Sequence, residues 1–202
     1  MRKSSISIRA VKLDPELLVE KRARKQTAKW NVGDVSLKKY DPVLVTSCHI
    51  ATLAYSHTPI DVQLQIALFT FLAICIDDFA VPNVALEEFM ERLYSGSSQL
   101  HPLLDRYVEC LRSMKDYFPP YAVKLIIKAS VDFINNMAVE EELETMALRP
   151  SALNYVTVKR FYNGIGDAYA CFVFDKFAFP HVTTYLQAIP YVFSIYQPSV
   201  YS

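Results

Sequence analysis

The longest apolar run in the chain, Ile66 through Ile76, ends on two adjacent aspartates, Asp77 and Asp78. Before it, Thr58-Pro59 gives a helix start, with Thr58 placed to cap and Pro59 at the first helical position. On a 3.6-residue period Ile66, Thr70, Ala73 or Ile74, and Asp77 share one stripe, so a single helix face carries apolar side chains inward and a carboxylate at its C-terminal end. An earlier helix is predicted from Asp41-Pro42 to about Tyr55, with Asp41 as cap. Others are predicted over Pro15 to Lys29, Val84 to Tyr94, and Pro102 to Tyr117. The longest, Pro120 to Met146, has apolar positions at Val123, Ile126, Ile127, Val131, Ile134 and Met137. Two further pieces, Ser151 to Asn163 and Gly166 to Phe174, are separated around Gly164 and Gly166, which mark a helix break or a close approach.

Composition supports helices. Of the 202 residues 52% are apolar and only four are glycine, which argues against a turn-rich β fold. The predicted class is all-α, in one domain with a sizeable core. The window Ile66–Ile76 is short for a bilayer crossing and reads as a buried core helix, so no membrane span is expected. No apolar signal core follows Met1-Arg2-Lys3-Ser4-Ser5. The four cysteines are scattered without a CxxC pair. Cys75 and Cys171 read as small core residues, and the set suits a reducing, cytoplasmic setting. The four histidines have no metal-ligand spacing.

Net charge is zero, but residues 1–30 hold nine Lys or Arg against Asp14, Glu16 and Glu20. The cluster Lys21-Arg22-Ala23-Arg24-Lys25 reads as a solvated helix face. A nucleic-acid arm, or help in screening an anionic substrate, is the alternative, and no nucleic-acid partner is expected. Glu140, Glu141, Glu142 and Glu144 likewise read as a solvated face, with a metal site as the alternative, because consecutive glutamates point in different directions.

Asp77 and Asp78 carry the chemistry. A carboxylate is costly to desolvate unless a cation answers it, and it is disfavoured at a helix C-terminus. Two neighbouring carboxylates at the mouth of an apolar helix suit a hard ion such as Mg²⁺, which binds one or two carboxylates together with substrate phosphates. The plainer alternative is a buried helix that simply ends at the surface.

Three stretches together resemble the trichodiene synthase-like fungal terpene synthases. They are Leu53-Ala54-Tyr55-Ser56-His57-Thr58-Pro59 through to Asp77-Asp78; Leu100-His101-Pro102-Leu103-Leu104-Asp105-Arg106 with Phe118-Pro119-Pro120-Tyr121-Ala122; and Arg160-Phe161-Tyr162-Asn163-Gly164-Ile165-Gly166-Asp167-Ala168-Tyr169-Ala170. The resemblance covers roughly residues 37–190, leaving 1–36 as a basic, partly helical segment and 191–202 as a divergent tail. It implies a class I terpenoid synthase: a helical bundle around an apolar cavity, with Mg²⁺ at an Asp-rich rim. Such enzymes ionise a linear prenyl diphosphate, usually farnesyl diphosphate, and cyclise the carbocation to a sesquiterpene. Residue by residue, it implies metal binding at Asp77 and Asp78, diphosphate sensing at Arg160, substrate binding at Asn163, and a helix-break carbonyl at Gly164. A homodimer is left open.

The chain departs from the family pattern at two places. Val81 stands where a third acid belongs. The second metal motif, N-D-x-x-S-x-x-x-E, and a later Arg-Tyr pair are absent, so the bundle is expected to be incomplete at its C-terminus, with apolar surface uncovered. The competing expectation is a non-catalytic, truncated or degenerate paralogue.

Overall fold

The structure, a computed structural model, describes residues 14–30, 37–78, 81–143 and 165–188. In these residues the regular structure is helical, without a strand. In chain order the helices are α1 (Pro15–Thr27), α2 (Asp41–Ala54), α3 (Ile60–Asp78), α4 (Asn83–Glu87), α5 (Phe89–Ser95), α6 (Pro102–Ser113), α7 (Pro120–Leu143) and α8 (Ile165–Phe172). Short 3₁₀ turns precede α2 and follow α6, and 182–188 is again helical.

Helix α3 is the axle. It packs against α2 on one side and α6 on another, while α1 lies across α2 and α3. Helix α7 pairs with α8 and with α4. From Val62 to Ala73 every residue of α3 is buried, so it is apolar all round rather than striped, as expected of a helix covered on all faces. Ile66, Phe69 and Leu72 are fully shielded, and each contributes roughly 1.5–3 kcal/mol by burial. Phe69 and Phe172 meet edge-on at 5.1 Å, and Phe118 and Tyr107 extend the aromatic cluster, with Phe118 5.3 Å from Phe172 and Tyr107 5.5 Å from Phe69. The 19-residue α3 is longer than its apolar window suggested. By length and composition it could cross a membrane, but 78% of its most apolar stretch is buried inside the protein.

Local starts and stops differ from the sequence pattern in four places. Tyr40, not Asp41, occupies the cap position of α2 without a side-chain cap bond, because the Asp41 carboxylate is held by the Arg24 guanidinium of α1. Helix α3 begins one residue later than predicted. The Pro59 carbonyl accepts the first helical bonds, from Val62 at 2.9 Å and Gln63 at 3.0 Å, and the Thr58 hydroxyl turns back to donate to the Tyr55 carbonyl at 2.8 Å. The expected helix over Val84–Tyr94 is two helices, interrupted at Glu88, whose ψ of −5° lies off the helical value. Helix α6 ends at Ser113, where the Cys110 carbonyl is taken by Ser113 Oγ (2.7 Å) and by Gln65 Nε2 (3.1 Å) from α3.

The basic run on α1 engages two of its four cations with the chain's own acids: Arg22 pairs with Asp61, and Arg24 with Glu20 and Asp41. All four cysteines are buried, and burial pushes each thiol up to about 12.

Candidate functional site

Asp77 and Asp78 are the last two residues of α3, and both side chains emerge at the surface directly beyond the buried Cys75 and Ile76. This is the placement the sequence pattern predicts. The site follows from the helix itself: a continuous apolar stripe runs into carboxylates where the backbone presents its unpaired, partially negative carbonyls. Desolvation by the body of the protein, then the charge of Asp78, then that of Glu140 hold the Asp77 carboxyl above the usual aspartate range. Each of these effects favours the neutral acid, and a bound cation opposes them by favouring the carboxylate.

Glu140 is the residue that the sequence reading missed. It lies on α7 and accepts from Asn136 Nδ2 at 3.0 Å, and its charge acts on Asp77. Its membership of a four-glutamate cluster concealed it. Its effect on the end of α3 is visible only in the fold.

Val81, in the position of the missing third acid, is buried at 7% exposure and belongs to the core. Two residues later the Asn83 side-chain oxygen is buried without a partner, while its nitrogen donates to Glu87 at 3.3 Å. Among the described residues no three His, Cys, Asp or Glu side chains stand close enough to enclose a metal ion. The donor set nevertheless fits a hard cation that takes one or two carboxylates and completes its shell with water and phosphate oxygens. Asp77 and Asp78 are the residues that would hold it.

Arg160, Asn163 and Gly164 lie outside the described residues. The next residue in sequence, Ile165, opens α8, so the chain's position just after the expected helix break is known. The Tyr169 hydroxyl on α8 donates to Thr70 Oγ1 on α3 at 3.0 Å. The Tyr169 carbonyl accepts from the Tyr55 hydroxyl at 2.9 Å, and the Val173 carbonyl lies 2.9 Å from His57 Nε2. Helix α8 is thereby tied to α3 and to the turn that precedes it.

A groove of about 370 Å³ lies at the other end of α3, lined by residues that include Asp14, Glu16, Thr52, Leu53, Pro59 and Gln63. It is about 21 Å along the helix from the carboxylates, at 1.5 Å per residue from Gln63 to Asp77.

Comparison with known proteins decides the family. The trichodiene synthase family model matches residues 20–201. The chain belongs to the trichodiene synthase family. That match is wider at both ends than the 37–190 stretch in which the motifs are visible, taking in most of α1 and the tail. Among curated relatives, Monoterpene synthase 25 of Postia placenta is 36% identical over 152 residues, 74% of this chain and 46% of the relative. The (E)-beta farnesene synthase of Metarhizium brunneum is 31% identical over 159 residues, 76% of this chain and 48% of the relative. Terpene synthase BipA of Cochliobolus sativus is 33% identical over 144 residues, 69% of this chain and 44% of the relative. The chain thus spans about half the length of the curated relatives it matches.

Proposed function

We propose that the chain carries the diphosphate-ionising part of a terpene synthase that acts on a prenyl diphosphate, with farnesyl diphosphate and a cyclic sesquiterpene as the first substrate and product to test. The observation that carries this reading is the carboxylate pair at the end of a mostly buried apolar helix, in a chain of this family. Mg²⁺, held by Asp77 and Asp78, would supply charge neutralisation for the departing diphosphate. The chain's own groups do the rest. Arg160 offers a planar fork of donors suited to phosphate oxygens. Asn163 would add a neutral hydrogen-bonding group for the substrate. By the resemblance, Gly164 would mark a helix break, and a backbone carbonyl freed there would turn its negative end to the allylic cation left when the C–O electrons depart with the diphosphate. A water-excluding apolar interior of the kind α3 builds keeps that cation from being quenched.

The test is incubation of the purified chain with Mg²⁺ and, separately, farnesyl and geranyl diphosphate, with hydrocarbons read by gas chromatography and released diphosphate assayed. Geranyl diphosphate is included because one relative is named a monoterpene synthase. Linear hydrocarbons are scored because another is named a farnesene synthase. Mg²⁺-dependent hydrocarbon from either substrate supports the reading.

A second reading has its own support: Val81 is a core residue where the pattern calls for an acid. On that reading the chain is a non-catalytic member, and neither substrate is consumed while the protein stays folded.

A further inference from the structure

Helix α1 sorts its charges by face. Val19, Ala23 and Thr27 are buried against the rest of the protein. The arginines reach inward along its flanks: Arg22 pairs with Asp61 of α3, and Arg24 pairs with Glu20 and with Asp41 of α2. The acids are engaged as well. Glu16 pairs with His49 of α2 at 2.7 Å, Glu20 holds Arg24, and Asp14 accepts the Glu16 N–H as cap. What remains on the outward face is Leu17, Lys21, Lys25 and, just past the helix end, Lys29, which recur every four residues along one stripe. All four are exposed, Leu17 at 59%. Among the described residues no ion pair involves any of the three lysines. Lys39, also exposed, comes two residues before the Asp41 that Arg24 holds, so it stands by the same end of α1.

A helix face that meets only water is not built this way. Such faces mix both signs, with Glu four residues before Lys. Here Lys21 and Lys25, and Lys25 and Lys29, are like charges at that spacing, which is destabilising in the helix by itself. Successive lysines lie about 6 Å apart along the axis, inside the Debye length of about 8 Å at physiological salt, so their fields add. The net charge of the chain is zero, and the attraction is therefore local to this face. The residues before Asp14 continue the sign in sequence: they include Arg2, Lys3, Arg9 and Lys12 and no acid.

Two features select the partner. The arginines, whose planar forks read single phosphates and base edges, are spent inside the protein. The outward cations are lysines, compact point charges on flexible stems, which suit a diffuse anionic surface. An exposed leucine shares their stripe, and an apolar side chain among lysines gains from a headgroup–acyl boundary but not from a phosphate backbone, where binding is electrostatic.

We propose that the outward face of α1 docks the protein peripherally on an anionic lipid bilayer, with Lys21, Lys25 and Lys29 at the headgroups and Leu17 at the apolar boundary. The proposal goes beyond the prenyl-diphosphate reading and does not depend on it.

The experiment is flotation of the 202-residue chain with vesicles of phosphatidylcholine containing about 30% phosphatidylserine. The chain floats with these vesicles and not with phosphatidylcholine alone, and raising NaCl from about 0.1 M to about 0.5 M releases it. Lys21→Gln combined with Lys25→Gln weakens binding by about 25-fold, at about fivefold per lysine. Lys115→Gln combined with Lys124→Gln makes the same change in net charge at exposed lysines elsewhere and stays within about twofold of wild type. Leu17→Ser weakens binding by about fivefold. Thermal unfolding of every variant matches wild type, because the replaced side chains are exposed. Equal losses from the two double variants reduce the effect to net charge and overturn the proposal. Binding to phosphatidylcholine alone that is indifferent to the lysines also overturns it, as does failure of the chain to float with either vesicle. Duplex DNA is the remaining probe: if it binds as tightly as the anionic vesicles, with the same dependence on Lys21 and Lys25 and none on Leu17, the face is a nucleic-acid contact and the lipid assignment is wrong.

Discussion

The two ends of α3 handle polar groups in opposite ways. At the N-terminal end most polar groups have an internal partner, although Gln63 Oε1 is buried without one. Thr58 Oγ1 donates to the Tyr55 carbonyl, Gln63 Nε2 donates to the Thr58 carbonyl at 2.8 Å, and Asp61 pairs with Arg22 of α1. At the C-terminal end two carboxylates stand side by side against the unfavourable end of the helix dipole, with a third acid, Glu140, close enough to act on one of them. No cation of the described chain is paired with either. The first end is built for stability. The second tolerates repulsion that a structural helix end would relieve with a lysine, and no described residue supplies that relief.

The sharpest way to break this comparison is Asp77→Ala. If the C-terminal end is a site, this variant removes a metal-holding carboxylate and lowers Mg²⁺-dependent diphosphate release from a prenyl diphosphate by about 10²-fold or more, the scale of losing one electrostatic element of a transition state. Asp78→Ala lowers it less. The measurement is made on this chain and on a fusion carrying the C-terminal helices of a family member after residue 190. Undiminished turnover of Asp77→Ala at limiting Mg²⁺ in whichever form is active refutes the metal role.

At the other end the expected effect is on folding only. Gln63 is 3% exposed, and its amide nitrogen satisfies the Thr58 carbonyl and reaches that of Tyr55 at 3.3 Å. Gln63→Leu strands a buried carbonyl and lowers stability by about 1–3 kcal/mol. Urea denaturation reads this as a lower midpoint at unchanged slope. Magnesium diphosphate binding by the folded fraction is unaffected, because the substitution lies about 21 Å up the helix from Asp77. A comparable loss of binding would show that the two ends are not separate.

How much of this was legible in the sequence depends on how local the signal is. The buried α3, its termination at Asp77 and Asp78, and the all-helical class follow from residues contiguous in the chain. What the pattern did not show depends on distant neighbours. Asp41 looks like a cap until Arg24, seventeen residues earlier, takes its carboxylate. Thr58 looks like a cap until its hydroxyl is seen on the Tyr55 carbonyl. Gln65, just before the apolar run, gives no sign that it will end α6 by holding Cys110 and Ser113. Glu140 is one of four neighbouring acids, and helix periodicity alone does not show that its charge acts on Asp77. Arg160, Asn163 and Gly164 were legible only through the family motif, and their placement lies outside the described residues.

The smallest expected effect is a pH dependence at the carboxylate end. The Asp77 carboxyl is raised by burial, by Asp78 and by Glu140, so its folded pKa lies above its unfolded value. The favourable contribution of the protonated acid is fully present below the ordinary aspartate range and is lost as pH rises through the folded pKa. At pH 7 without metal, Asp77→Asn is therefore more stable than wild type. Because the carboxylate is solvent-exposed, screening keeps the difference to about 0.5 kcal/mol or less. It closes as the pH falls below the unfolded value, where both side chains are neutral. Mg²⁺ at pH 7 acts on the same term from the other side: it stabilises the wild type by binding the folded state and does less for Asp77→Asn. Thermal unfolding of the two proteins at pH 7 and at pH 3.5, each with and without MgCl₂, gives all the comparisons. A wild type more stable than Asp77→Asn at pH 7 in the absence of Mg²⁺ would mean that the chain already neutralises Asp77 by itself, and that this end of α3, like the other, is complete without a ligand.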